Sequence, residues 1–288
     1  MIDFEFISIS TCPVCKSIRR RKEGLRGERP ISDLPKKPDS SSITLEVWQC
    51  RDCRHIWVDP CPRDKTLYQL YEQDSANYFT HLQEGSLDGF FLLLNQYSKT
   101  PGNLLDIGCG TGRLLKDAIG WKCTGVEPVT EFARIASQYG KVYPSMDQLS
   151  EKYDAIIALA VLEHISDPVS MLLKAHNLAL PGAILIVEVP NGQRFDSWLL
   201  DLMLKMSGRP WTMKTAPLQS PFHLSEFSKE SLRVVATQAG WKIEKLWTSP
   251  GKIGYPIPRF LNVLLNFTQR ISAPFGWGLN ITMVARKA

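Results

Sequence analysis

The run Leu104-Leu105-Asp106-Ile107-Gly108-Cys109-Gly110-Thr111-Gly112 limits the folds open to this chain more than any other stretch. Two apolar residues and an aspartate read as the end of a buried parallel strand. Three glycines in five residues then turn the chain sharply, and residues 113–118 open a helix. Glycine lets a ligand approach the backbone where a Cβ would collide. The spare N–H groups at the helix start add a polar, electropositive edge. Residues 121–127 read as the next strand, and Glu127 stands 21 residues beyond Asp106. A carboxylate at the tip of a second strand suits a bidentate contact to ribose hydroxyls. A ligand-free glycine turn is the competing reading, and the acid that follows speaks against it.

From Pro101 onward strand and helix alternate. A helix over 129–139 closes at Gly140, a short strand follows at 141–143, and 153–159 is a fourth strand. Asp167 caps the next helix with Pro168 at its first position, and Pro181-Gly182 turns into a strand over 183–189. Ser228 caps a helix over 229–239, which Gly240 ends, and 241–247 and 279–285 are the last strands. This order implies an α/β fold with a doubly wound, mostly parallel seven-stranded sheet.

On these residues the chain resembles the class I S-adenosylmethionine-dependent methyltransferases. Leu105 to Gly112 is similar to their first motif, as are Tyr153-Asp154 before a strand and Leu162-Glu163-His164-Ile165-x-Asp167-Pro168 after it. The resemblance implies that Asp106, Gly108, Cys109, Gly110, Glu127 and Pro128 hold S-adenosyl-L-methionine, with Met146 and Asp147 flanking the adenine and Ala160 beneath the sulfonium. The family usually has glycine where this chain has Ser145. Helices before the first motif fold over the cofactor in this family, which makes Tyr78 a lid candidate; a plain core aromatic is the alternative.

Seven cysteines raise the question of disulfides, but Cys12-x-x-Cys15 and Cys50-x-x-Cys53 can present four thiolates in a tetrahedron. That is the requirement of structural zinc. Four thiolates leave no open coordination position, so the expected Zn(2+) is structural. Residues 1–65 therefore read as a zinc-ribbon module, 66–100 as a helical connector or lid, and 101–288 as the methyltransferase domain. Residues 19–42 read as a loop, rich in charge and carrying Pro30, Pro35 and Pro38. Between Arg19 and Asp39 eight Lys/Arg face four Asp/Glu, a surplus that can touch phosphate or be merely solvated.

The domain carries insertions at about 191–227 and 249–278. Trp211, Pro221, His223 and Phe227-Ser228 resemble the C-terminal signature of bacterial methyltransferases that pair a zinc ribbon with this domain. Many of those act on nucleotide-linked sugars or in cell-surface polysaccharide synthesis, which implies a sugar or other small hydroxyl- or amine-bearing acceptor. His223 in the insertion is the first candidate for a base, and His164 at the fourth-strand tip the second. In 198–206 only Asp201 and Lys205 make a polar stripe. An amphipathic helix over 258–272 gathers Phe260, Leu264, Phe267 and Ile271 on one face. It can cap a pocket or lie on a membrane surface; the scarcity of lysine and arginine on its polar face favours the cap. No apolar run spans a bilayer and the N-terminus lacks a signal sequence, so the expectation is a cytoplasmic protein, with peripheral membrane contact if that helix docks. Two rivals stand: a zinc-ribbon ribosomal-RNA methyltransferase, and a non-catalytic zinc-ribbon interaction module.

Overall fold

The computed structural model describes residues 4–27, 43–72, 87–98, 100–251 and 259–288. Its N-terminal part holds β1 (Phe6–Ile7), β2 (Arg20–Gly27), β3 (Thr44–Cys50), β4 (Ile56–Asp59) and β5 (Cys61–Pro62). β1 pairs with β5, while β2, β3 and β4 form an antiparallel meander. The loop expected over 19–42 is therefore wrong for residues 20–27, which are strand. Charge density hid the strand: on β2 the Arg20 guanidinium lies 4.0 Å from the Trp48 ring centroid, Arg21 bonds Gln49, and Lys22 pairs with Glu46 across the ladder. Such cross-strand pairs stabilise a solvated sheet face as alternating apolar residues stabilise a buried one.

Helix α1 (residues 64–72) and α2 (Asp88–Tyr97) follow; Tyr78, between them, lies outside the described residues. The domain then runs β6 (Asn103–Ile107), α3 (Arg113–Asp117), β7 (Lys122–Val126), α4 (Thr130–Ala136), β8 (Lys141–Tyr143), β9 (Tyr153–Leu159), α5 (Pro168–Leu178) and β10 (Ala179–Pro190). It ends with α6 (Phe195–Met206), β11 (Ser225–Glu226), α7 (Lys229–Gln238), β12 (Trp241–Ser249), α8 (Arg259–Ser272) and β13 (Asn280–Lys287). Seven strands form one sheet in the order β12-β13-β10-β9-β6-β7-β8, parallel except for β13, which is antiparallel to both neighbours. The central strands are continuous apolar runs because helices cover both faces. Leu105, Ile156 and Leu185 pack towards α5 and α7 through Leu172 and Val235; Leu104, Ile157 and Ile184 pack on the other side with Leu94 and Leu114.

The N-terminal sheet is not a bead on a tether. β11, from the insertion after β10, adds a fourth strand to it, pairing Ser225 with Trp57 and Glu226 with Ile56. Leu25 of β2 bridges Trp211, and a Cβ on Gly24 would meet the Pro210 carbonyl at 2.9 Å. Cys12, Cys50, Cys53 and Trp57 share a core with Phe227 and the α7 face of the large sheet.

Two expectations about the insertions reverse. In α6, Asp201 points inward, accepting from the Thr212 hydroxyl at 2.9 Å and the Met213 N–H at 2.6 Å, while Trp198, Met203 and Met206 face out. The apolar face of α8 is not packed among the described residues: Phe260, Leu264, Phe267 and Ile271 are exposed, and buried Gln269 donates to Asp196 of α6 at 2.5 Å. Polar pairs between inserted segments, which no local periodicity encodes, turn both helices over.

Candidate active site

The parallel strands β6, β7 and β9 end at one edge of the sheet, and a cleft of about 490 Å³ opens there. Gly108 and Gly110 form its floor with φ of +71° and +52°, a region that side chains with a Cβ rarely enter. A Cβ on Gly108 would strike Val161 at 2.5 Å, whereas one on Gly110 would project into open space, where a ligand can lie against the backbone. Glu127, at the tip of β7, ties this floor together. One carboxylate oxygen accepts the Gly110 N–H at 3.0 Å and the other the Val129 N–H at 2.9 Å, and burial raises its pKa. Asp106 sits below the loop rather than on the cleft wall; burial, then the nearby Glu127 charge, pushes its carboxyl up to about 8. Cys109 also turns away, its sulfur over Gly125 and packed with Leu115 and Ala136, so that only its backbone belongs to the loop.

Pro128, Met146, Asp147 and Ala160 line the cleft. Ser145, the departure from glycine, has a use here: its hydroxyl accepts the Asp147 N–H at 3.2 Å and caps the short turn Met146–Gln148. Asp147 is exposed and paired with Lys174 at 2.7 Å, which lowers its pKa. Ala160 holds φ of +53° where β9 ends, a strained conformation that costs about 1–2 kcal/mol and brings the chain round to His164.

Glu163, His164 and His223 meet beside the cleft, although the two histidines stand 59 positions apart in the chain. His164 lines the cleft; His223 lies behind it, the rings 4.9 Å apart and edge to face. Both Nε2 atoms face Glu163 Oε1, at 3.9 Å from His164 and 3.8 Å from His223. The His164 Nδ1 is 2.6 Å from the Tyr71 hydroxyl and 3.2 Å from the Phe222 carbonyl. Burial holds His164 down at about 4 and His223 well below the usual histidine range, while it lifts Glu163 to about 8. Phe222, at φ +61°, follows Pro221 and turns His223 towards Glu163. Tyr68 and Tyr71 of α1, Phe132 and Lys174 also line the cleft. Tyr71 shares a helical spacing with the buried Leu67 and Leu70, so its sequence position alone does not mark it as a site residue.

Cys12, Cys15, Cys50 and Cys53 of the N-terminal part converge, three of them sharing a core with Phe227. Their sulfurs all lie within 4.8 Å of one another, with Cys12–Cys53 and Cys15–Cys50 at 3.5 Å, and all four are free thiols. Four sulfurs about 2.3 Å from a tetrahedral zinc would sit roughly 3.8 Å apart, so the spacing fits. The N–H groups of Asp52 and Cys53 approach the Cys50 sulfur at 3.4 and 3.5 Å, as a thiolate requires. His55 is not part of this set: its ring is buried and packs edge-on against Phe227 at 4.8 Å.

A family model described as a methyltransferase domain matches residues 78–246. The chain belongs to that methyltransferase-domain family. Among curated proteins, the chain is 28% identical over 148 residues to a ubiquinone biosynthesis O-methyltransferase of Ruegeria pomeroyi, covering 47% of this chain and 58% of that one. It thus spans less than two thirds of that relative's length. A Bradyrhizobium protein of the same name is 24% identical over 225 residues, covering 72% and 87%. Among solved structures it is similar to the magnesium protoporphyrin IX methyltransferase of Synechocystis, with TM-score 0.54, 16% identity and coverage of 78% and 100%. It is also similar to the 1,6-didemethyltoxoflavin-N1-methyltransferase of Burkholderia thailandensis, with TM-score 0.53, 16% identity and coverage of 83% and 97%. These two likenesses show the fold alone. The ribbon lies outside the family match.

Proposed function

We propose that this methyltransferase methylates a hydroxyl oxygen of a small acceptor, of the nucleotide- or lipid-linked sugar kind, and that its ribbon holds a structural zinc. The bound cofactor supplies an electrophilic methyl group on a sulfonium. Glu127 and the Gly108–Gly110 floor hold the ribose end, Met146 and Asp147 border the adenine side, and Ala160 and His164 bound the reacting end. A hydroxyl acceptor must lose its proton as the new bond forms, and a placed base contributes about 10²–10⁴-fold.

The observation that carries the reading is the Glu163–His164–His223 cluster. Burial keeps both imidazoles neutral near pH 7 and so able to accept a proton. His164, on the cleft wall, takes it; Glu163, 3.9 Å from its Nε2, stabilises the imidazolium once ionised, and His223 packs behind. The O-methyltransferase names of the curated relatives support an oxygen acceptor, and the insertion signature supports the sugar kind.

An RNA substrate gains no support from β2. Arg19 pairs with Asp52 at 2.8 Å, Arg20 with Asp59 at 2.9 Å and Arg21 with Glu23 at 2.6 Å, so these three cations are paired; Arg29, Lys36 and Lys37 lie outside the described residues.

The test is label transfer from methyl-tritiated cofactor to nucleotide sugars, lipid-linked sugars, dihydroxybenzoates and ribosomal RNA, comparing wild type with His164→Asn and Glu163→Gln. Transfer to a hydroxyl compound that falls at least 10²-fold in His164→Asn, with unchanged affinity for S-adenosylhomocysteine, supports the assignment. Transfer to RNA alone, or a His164→Asn rate within threefold of wild type, would overturn it.

A further inference from the structure

The outer surface of α6, α8 and the turn after α8 combines two properties seldom found together on a freely solvated protein surface. It is strongly apolar: Trp198, Met203 and Met206 of α6, and Phe260, Leu264 and Phe267 of α8, are each between 56% and 80% exposed. Phe275 and Trp277 continue it at 77% and 51%. Its exposed charge is also of one sign. The two carboxylates of α6 are buried, Asp196 bonded by Gln269 and Asp201 by Thr212, and α8 contains none. The cations Lys205, Arg259 and Arg270 all face outward.

The layer is a built surface rather than a frayed end. Asn191 donates to the carbonyls of Gly276 at 3.0 Å and Gly278 at 2.7 Å, and Phe195 stacks on Trp277 with centroids 6.0 Å apart. Strands β10 and β12 run into it at Pro190 and Ser249. Both are parallel to β6 and β9, so the layer lies at the same sheet edge as the cleft.

We propose that this face docks on an anionic lipid bilayer, its aromatic and aliphatic side chains entering the interface and Lys205, Arg259 and Arg270 meeting the headgroups. Amphipathic helices with aromatic residues on one face and cations on the other bind membranes in this way without crossing them. Among the described residues no helix is long and apolar enough to cross one. The charge pattern separates a bilayer from a second copy of the chain. A twofold contact through this face would set the three cations against their copies, with no exposed carboxylate on either helix to neutralise them. Anionic headgroups neutralise them all, strengthening binding by about 10²-fold for three cations. Docking at this edge also turns the cleft side of the sheet towards the lipid.

The experiment is co-sedimentation of the full chain with vesicles of phosphatidylcholine, alone or in equimolar mixture with phosphatidylglycerol, at low and at high salt. Affinity for S-adenosylhomocysteine is read on the same samples, so a failed docking face and a failed cofactor site are distinguished. Two variants accompany it: Trp198→Ser/Phe260→Ser/Phe267→Ser, and the charge reversal Arg259→Glu/Arg270→Glu. The expected result is binding at least 10-fold tighter to the anionic vesicles, weakened by salt and reduced to background in the first variant. The charge reversal should lose the anionic preference, and it keeps the test decisive if the first variant misfolds. No sedimentation by a protein that binds S-adenosylhomocysteine would overturn the proposal. So would a dimer, seen by analytical ultracentrifugation, that either variant dissolves and vesicles do not compete away.

Discussion

Ser228→Ala isolates the joint between the ribbon and the acceptor side. The Ser228 hydroxyl accepts the Ser231 N–H at 3.0 Å, capping α7, and donates to the Cys53 carbonyl at 2.8 Å. Ser228 is fully buried, so no water replaces either partner. Losing the cap costs about 0.5–2 kcal/mol. Leaving a buried carbonyl without its donor costs about a further 1–3 kcal/mol. The expected destabilisation is therefore about 3 kcal/mol, or about 10²-fold in the unfolding equilibrium, since 1.4 kcal/mol is a factor of ten. Urea unfolding followed by tryptophan fluorescence measures it. Ser231→Ala, which keeps the Ser228 hydroxyl, is the comparator and should lose about 1 kcal/mol. A Ser228→Ala loss no greater than that of Ser231→Ala would refute the reasoning, because the bond to the ribbon would then contribute nothing.

Cys50→Ser should lower bound zinc from about one equivalent to well under half and lower the melting temperature, because small metal-held modules fold with their metal. Elemental analysis with thermal unfolding checks this, and zinc-free wild type of undiminished stability would contradict it. The Asp106 carboxyl is raised to about 8 in the fold, against about 4 when unfolded, so the folded state binds the extra proton between those limits. Its contribution to stability is present at low pH and is lost as pH rises through about 8; Asp106→Asn should flatten the fall between pH 6 and 8.5, and an unchanged slope in urea titrations would count against that. Glu163, raised for the same reason, should make the wild-type transfer rate climb towards about pH 8, and Glu163→Gln should lose that climb.

The glycine loop, Glu127 and the paired cysteines are legible in the chain because each works through local spacing: a turn, the length of one strand-helix-strand unit, two knuckles. That the sheet is mostly parallel follows from the alternation of strands and helices. What escapes is set by contacts distant in sequence. β2 looks like solvated loop until Glu46, Gln49 and Trp48 are set opposite its cations. Asp201 looks like a solvent stripe until Thr212 and Met213 fold back on it. His223 reads as the foremost base, yet His164 lines the cleft, because the turn at Pro221 and Phe222 tucks His223 behind it. That β11 completes the ribbon's sheet has no local signal, since two residues carry no periodicity.

Calorimetric titration with S-adenosylhomocysteine, for wild type and Glu127→Ala, tests most directly that the cleft at Gly108, Gly110 and Glu127 is the cofactor site. Two hydrogen bonds to a charged acceptor, at about 1.5–3 kcal/mol each, amount to at least 10²-fold in affinity. The same carboxylate braces the Gly110 and Val129 N–H groups, which adds to the loss. Wild type should bind in the micromolar range, and a folded Glu127→Ala variant at least 10²-fold more weakly. Equal binding by the two, or none by a folded wild type, would contradict it.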